Sequence, residues 1–521
     1  MSTDRKSFNP FSTVDGTSEI LKRLINEPSD AKAFVLYLTR LFNFEGFRRD
    51  YMHNLDREYT DLSELGSPEF ELMCAALKKA LCSQIERQIA EIDEHIITGL
   101  NAVIHHPKFQ ALESRWRGLW TLVLTADSHR NIKVRVLDIS KRECLRDLER
   151  AIEFDQSQIF NKVYNEAYGI AGGEPFGLII TDFFVQHKPS RTNDFRSDDI
   201  SLLRSLAEVG AAAFTPIVLN ADPLLFGLDT HAELTPLLNI HALFEQAEYL
   251  PFQSLRTSLD TRFIVLTLPR ILMRDRYRTR RTSFRGVFFE ERCTQNDDYL
   301  WGGSSFALGV IALREFASAG WFGHIRGAPQ DTLAGGLVSH LVSERFEIDD
   351  ILHLERPVTE LSLTDSLERK LSAEGLMPLM ACKDLPYAIF YNNSTLWNPR
   401  TASRKASYDD ATLSGMLQHV LCASRVAHYV KVIIRDKIGS FASADECERA
   451  LSEWIYQYTT GNEDLGWEEQ ARYPLKKAEV QVRELPSNPG QYACVMRLMP
   501  HYQADEMRAE LELVTELVQI S

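Results

Sequence analysis

Paired cysteines are missing from this sequence. Its eight cysteines, from Cys74 to Cys494, contain no Cys-x-x-Cys pair, and their spacing matches neither a zinc site nor a disulfide framework. Scattered single thiols in a chain of 521 residues fit a reducing compartment. Long apolar runs are missing too: the longest, Val209 to Leu219, contains Thr215 and Pro216 and is too short to span a bilayer. The opening residues Met1 to Pro10 lack the apolar core of a signal peptide, so a cytoplasmic location without membrane insertion is expected. Positive charge is in deficit. Lysine and arginine total 58 against 73 aspartates and glutamates, a net charge of −15 that opposes a nucleic-acid coat or an anionic membrane partner. No P-loop, GxSxG elbow, HExxH helix or EF-hand loop occurs, which removes the sequence signatures of Walker-site nucleotide hydrolysis, nucleophile-elbow hydrolysis, zinc proteolysis and calcium sensing. The chain reads as a non-enzyme with no catalytic residue, metal or cofactor.

What remains is the material of a large globular protein, 44% hydrophobic and 25% charged. Its length suggests about three or four domains at roughly 150 residues each. Residues 1–66 are expected to form an arm, 67–380 a helical segment with an α/β body, and 381–521 a C-terminal domain. Met73, Leu77, Leu81, Ile85, Ile89, Ile92, Ile96, Leu100 and Val103 recur at helical steps and predict a long amphipathic helix whose apolar stripe needs a partner surface. His105-His106-Pro107 breaks it, and a second helix carries Phe109, Leu112, Trp116, Leu119 and Val123 on one side. The His pair reads as a helix-terminal turn, because no third metal ligand lies nearby in sequence.

An alternating α/β stretch follows. Ile132, Val134 and Val136 predict a half-buried strand, and Ser140 with Glu143 a capping box. Phe176–Thr181, Pro216–Leu219 and Phe263–Leu268 read as strands around a helix at 200–210, an order that points to a sheet covered by helices. Seven arginines, Arg270, Arg274, Arg276, Arg278, Arg280, Arg281 and Arg285, form the sharpest local charge feature. They are either a docking patch for an acidic partner or a nucleic acid, or a solvated loop. Gly302-Gly303-Ser304-Ser305 opens a helix and offers a weak anion site on its free N–H groups. A long helix over 413–437 ends in Lys431, Arg435 and Lys437, which suit its dipole, and Ser443 with Glu446 caps another.

The C-terminal end is the most readable part. Val480 and Val482 alternate with polar residues, Pro486-Ser487-Asn488-Pro489-Gly490 makes a turn, and Tyr492–Met499 returns as a strand: a β-hairpin. Met507–Val518 is a candidate third strand. An isolated hairpin is marginal in water, so its edges call for cover, which strands from other chains would supply.

His105-His106-Pro107-Lys108-Phe109-Gln110-Ala111-Leu112-Glu113, Trp116-Arg117-Gly118-Leu119, Leu268-Pro269-Arg270, Tyr299-Leu300-Trp301-Gly302, Ile325-Arg326-Gly327, Arg435-Asp436-Lys437-Ile438-Gly439-Ser440 and Ala471-Arg472-Tyr473-Pro474-Leu475 occur in this order. Together they resemble the large subunit of the type VI secretion contractile sheath, the TssC/VipB family, from about residue 70 to the end. The resemblance implies a mixed α/β, multi-domain sheath fold whose C-terminal part is similar to phage tail sheaths. It implies a structural role: pairing with a small TssB/VipA-like subunit, helical polymerisation with copies of itself around an Hcp tube, assembly on a baseplate, contraction, and dismantling by a ClpV-type AAA+ ATPase. It further implies inter-subunit strand exchange through Val480, Val482, Tyr492, Val495, Leu498, Leu511 and Val514. Tube contacts would fall to Lys431, Arg435 and Lys437, and small-subunit packing to Ile85, Ile89, Ile92 and Ile96. A phage-tail-like contractile particle is the alternative reading; an α/β enzyme and a nucleic-acid binder are further ones.

Overall fold

The computed structural model describes residues 68–127, 131–170, 172–192, 195–235, 238–278, 289–328, 333–339, 341–348, 351–354, 356–399, 414–436, 444–462, 466–484, 492–501 and 511–517. The expected arm at 1–66, the hairpin turn at 486–490, Ser443, Lys437, Arg280, Arg281 and Arg285 lie outside them. The chain folds as two compact units, residues 1–100 with 279–289, and residues 101–278 with 290–521. Most of the described part of the first is the long helix α1, Pro68–Ile104. Among the described residues, no helix is long and apolar enough to cross a membrane.

In the second unit, helix α2 (Pro107–Asp127) follows the Pro107 break. Helix α3 (Lys141–Arg150) starts on the expected capping box: Ser140 Oγ accepts the Glu143 N–H, and the Glu143 carboxylate accepts the Ser140 N–H. The segment around Ile132, Val134 and Val136 belongs to no sheet. It is mostly exposed, fixed by Lys133 on Glu174 and Arg135 over the Phe176 ring. Alternation alone does not create a strand where no neighbouring backbone is offered.

Strands β1 (Ile179–Val185), β2 (Ile217–Ala221), β3 (Ile264–Leu268) and β4 (Met377–Pro378) form a parallel sheet in that spatial order. Helix α4 (Asp199–Ala213) connects β1 to β2. Asp198 caps it through the Ile200 and Ser201 N–H groups, and Phe214 at φ 52° closes it. β2 and β3 are buried throughout, the signature of central parallel strands covered on both faces. Alternate side chains divide the interior: Ile217, Leu219, Ile264 and Leu266 pack with α3 and α4 residues. Val218 and Val265 pack with helix α5 (Ser305–Ala319). Helix α6 (Asp365–Ala373) leads into β4. The short strand Met380–Ala381 pairs with Ala388–Ile389, and that with Leu337–Val338, so a small sheet spans the division expected at 380/381.

Helices α7 (Leu417–Asp436) and α8 (Ala444–Tyr456) precede an antiparallel three-stranded sheet of β5 (Leu475–Glu484), β6 (Tyr492–Pro500) and β7 (Leu511–Leu517). The hairpin and the third strand are thus present. The inner face of β5 and β6, from Ala478 and Val480 to Met496 and Leu498, packs on Val426, Val430, Leu451 and Ile455.

Candidate functional site

The C-terminal sheet holds most of the residues singled out for assembly. Val480 lies opposite Met496, and Val482 opposite Cys494. Across the other side of β6, Val495 pairs with Val514, Leu498 with Leu511 and Tyr492 with Leu517. Strand periodicity puts Val480, Val482 and Leu498 on the buried inner face, so these side chains serve the chain's own core. β6 is paired along both edges, and Tyr492, Val495 and Leu498 therefore offer no backbone to another strand. The outer edge of β5 is covered at two points: Leu475 bridges to Thr459, and the Val482 N–H donates to Glu448 Oε2 at 2.9 Å. Among the described residues β7 pairs only with β6, which makes its outer edge the open one. Such an edge is a template for strand addition.

The arginine run is neither a docking patch nor a solvated loop over its first four members. Arg270 grips Glu360 with Nε at 2.7 Å and Nη2 at 2.6 Å, while Glu360 also meets His231 Nδ1 at 2.9 Å. Burial opposes the Glu360 charge, but the hydrogen bonds from Arg270 and His231 outweigh it and bring the carboxyl down to about 2. Arg274 holds Glu291 and Glu113, and Glu291 in turn meets His105 Nε2 at 3.1 Å. Arg276 and Arg278 both pair with Glu344. A third Arg–Glu–His group joins Arg256, Glu374 and His241, at 2.8 and 2.7 Å. The side chains of Glu360 and His231 have no exposed surface, and Arg270 is the partly exposed member of that group.

The structure does bring further metal-type donors to His105: Glu291 and Cys293. Both Glu291 oxygens already bind Arg274, whose guanidinium supplies the positive charge there. Burial first, and Glu291 next, push the Cys293 thiol up to about 12, so it is not a ready thiolate ligand. The Gly302–Ser305 turn is also occupied. Asn220 Oδ1 accepts the Ser305 N–H at 3.0 Å, Ser305 Oγ donates to the Thr181 carbonyl at 2.8 Å, and a side chain on Gly303 would collide with Asn220. The helix terminus meets a carboxamide in place of an anion.

Two family models divide the chain between them. The EvpB/VC_A0108 tail sheath N-terminal domain matches residues 86–397, and the EvpB/VC_A0108 tail sheath gpW/gp25-like domain matches residues 406–517. The chain belongs to the VipB tail sheath family. The type VI secretion system sheath protein TssC1 of Pseudomonas aeruginosa is 36% identical over 444 residues, which cover 83% of this chain and 86% of that relative. The mixed α/β fold and the likeness to phage tail sheaths follow from these matches.

Within the VipB frame, Lys431 belongs to the gpW/gp25-like segment and its cage to the N-terminal one. Its ammonium lies 5.3 Å from the ring centroids of Tyr164 and Tyr168 and 4.9 Å from that of Phe214. Burial pulls its pKa down. The residue read as facing a tube is half-buried inside its own chain. The Arg435 side chain and Lys437 lie outside the described residues. Ile85, Ile89, Ile92 and Ile96 are all exposed on α1, with Ile92 at 57%. Sequence reasoning missed Glu291, Glu360 and Glu374, because each acts on partners far away in the chain.

Proposed function

We propose that this chain is the large structural subunit of a type VI contractile sheath in the bacterial cytoplasm. In this reading it pairs with a small TssB/VipA-like subunit and polymerises helically around an Hcp-type tube on a baseplate. Contraction propels the tube, and a ClpV-type ATPase dismantles the spent sheath. The observation that carries the reading is the open edge of β7 in a chain matched along most of its length by sheath models. Main-chain hydrogen bonds at such an edge join neighbours while leaving the bodies able to rotate between two packings.

Of the residues considered for strand exchange, Leu511 and Val514 sit on the strand that is open, and Val480 and Val482 on the partly covered one. We place the exchange at β7, small-subunit packing at Ile85, Ile89, Ile92 and Ile96, and the domain division between residues 397 and 406. A tube contact remains for Arg435 and Lys437, and charge reversal there is expected to weaken docking of the tube. The energy of firing resides in the extended packing, and the chain itself acts as a mechanical part, not an enzyme.

The test is electron microscopy of the chain alone, after co-expression with its small subunit, and with residues 507–521 deleted. Hollow tubules only on co-expression, lost on deletion while the heterodimer stays folded, are expected. Normal tubules from the truncated chain would sink strand exchange at β7.

A further inference from the structure

Two polar atoms at the base of one hairpin are buried without a hydrogen-bond partner, and they are of opposite kind. Strands Arg345–Ile348 and Ile351–Leu354 run antiparallel with Arg345 opposite Leu354. Glu344 and Arg356 therefore stand one residue out of register just beyond the last pair, a diagonal that long side chains can span. Yet each is engaged elsewhere. Glu344, 2% exposed, accepts on Oε1 from Arg276 Nε and from Arg278 Nη2, while its Oε2 is buried with no donor. The Arg356 guanidinium carbon lies 3.6 Å from the centre of the Tyr299 ring. Its Nη2 donates to Asn296 Oδ1 at a long 3.4 Å, and its Nη1 is buried with no acceptor.

The Tyr299 ring gathers these groups. Arg276, which binds Glu344, lies 6.0 Å from the same ring centre. Burial first, and the Glu344 charge next, push the Tyr299 hydroxyl up, while Arg356 and Arg276 pull it down, so the acid and both cations act on one side chain. A buried donor and a buried acceptor left unmade are both costly. Water answers the two hydrogen bonds but not the charge of Arg356, for which the described residues supply no carboxylate. Sulfate answers the charge but turns a lone pair towards Glu344 Oε2. An anion that still carries a proton answers the donor, the acceptor and the charge together, and guanidinium is the side-chain group best matched to phosphate oxygens.

We propose that Glu344 and Arg356 form a binding site for inorganic phosphate, which keeps a P–OH group at neutral pH. The P–OH donates to Glu344 Oε2, and an anionic oxygen accepts from Arg356 Nη1. Bound there, phosphate joins the base of the hairpin to the Tyr299 stack and stabilises the folded chain as its concentration rises. The site goes beyond the sheath reading and does not depend on it.

The full chain is titrated with sodium phosphate, and separately with sodium sulfate, at pH 7 and constant ionic strength, by calorimetry and thermal unfolding. Saturable binding and a rising melting temperature are expected with phosphate. Sulfate should bind about tenfold or more weakly, because it offers Glu344 Oε2 no donor. Arg356→Gln should weaken phosphate binding about tenfold or more. Glu344→Gln, whose amide can donate, should bring sulfate within about twofold of phosphate. Melting curves without added anion show whether each variant folds; if Glu344→Gln does not, the wild-type preference and Arg356→Gln still decide. No saturable phosphate binding by the wild type, equal affinity for phosphate and sulfate, or full affinity in Arg356→Gln would overturn the inference. Tubule formation by the wild type is scored separately, so the sheath reading stands or falls on its own.

Discussion

Lys431 Nζ lies 4.9 Å from the centre of the Phe214 ring, on the side of α4 where the backbone leaves the helix. With Tyr164 and Tyr168 this ring encloses a cation for which the described residues provide no carboxylate. The contact ties the gpW/gp25-like segment to the N-terminal one through ring faces alone. Lys431→Ala should lower stability by about 1–2 kcal/mol, since it loses partly desolvated cation–π contacts. Lys431→Glu should cost more, because it points an anion at the negative faces of the rings. Denaturant midpoints of the two variants check the order.

The Glu360 carboxylate makes the body sensitive to acid. Its pKa falls from 4.5 to about 2 on folding, so its contribution is full above 4.5 and disappears as the pH drops towards 2. Glu360→Ala leaves Arg270 and His231 without this partner and should cost about 3–5 kcal/mol at neutral pH. Urea titrations from pH 6 to pH 2 should show the wild type losing its advantage over the variant across that window.

Glu315 works in the opposite sense. Burial lifts its carboxyl from 4.5 to about 7 despite the hydrogen bond from the His324 N–H. Its folded form prefers the proton, so its share of stability is complete below 4.5 and vanishes as the pH rises through 7. That share is about 3 kcal/mol, taking roughly 1.4 kcal/mol per pKa unit. Glu315→Gln should hold its stability from pH 5 to pH 8 better than the wild type, read from the difference between their melting curves.

Glu448 guards the edge of β5 by accepting the Val482 N–H. Glu448→Ala should cost about 1–3 kcal/mol for the donor left unpaired. It should also open a second strand edge, so that aggregation of the chain alone increases. Light scattering against time, wild type beside variant, measures this.

Local signals were read well, because they act within a few residues. The Ser140–Glu143 box, the long helices and the C-terminal alternation each name their own element. Burial was less legible, since it depends on what lies opposite. α2 carries its bulkiest stripe outward and rests on Gly118, which only the nearby Phe306 ring explains. The arginines misled for the same reason: Glu360 lies 90 residues from Arg270, and Glu344 lies 68 from Arg276. Likewise, the open edge of β7 was visible as a strand but not as an edge, because the cover on β5 comes from Glu448 of α8 and from Thr459.

The three Arg–Glu–His groups share an order along the chain. His105 and Arg274 precede Glu291, His231 and Arg270 precede Glu360, and His241 and Arg256 precede Glu374. Synthesis therefore delivers Arg256 well before Glu374, the carboxylate it pairs with. A nascent chain that has not yet released residue 374 carries Arg256, 1% exposed in the finished fold, without its carboxylate. The Arg256–Glu374 pair thus closes late, only once residue 374 has left the ribosome.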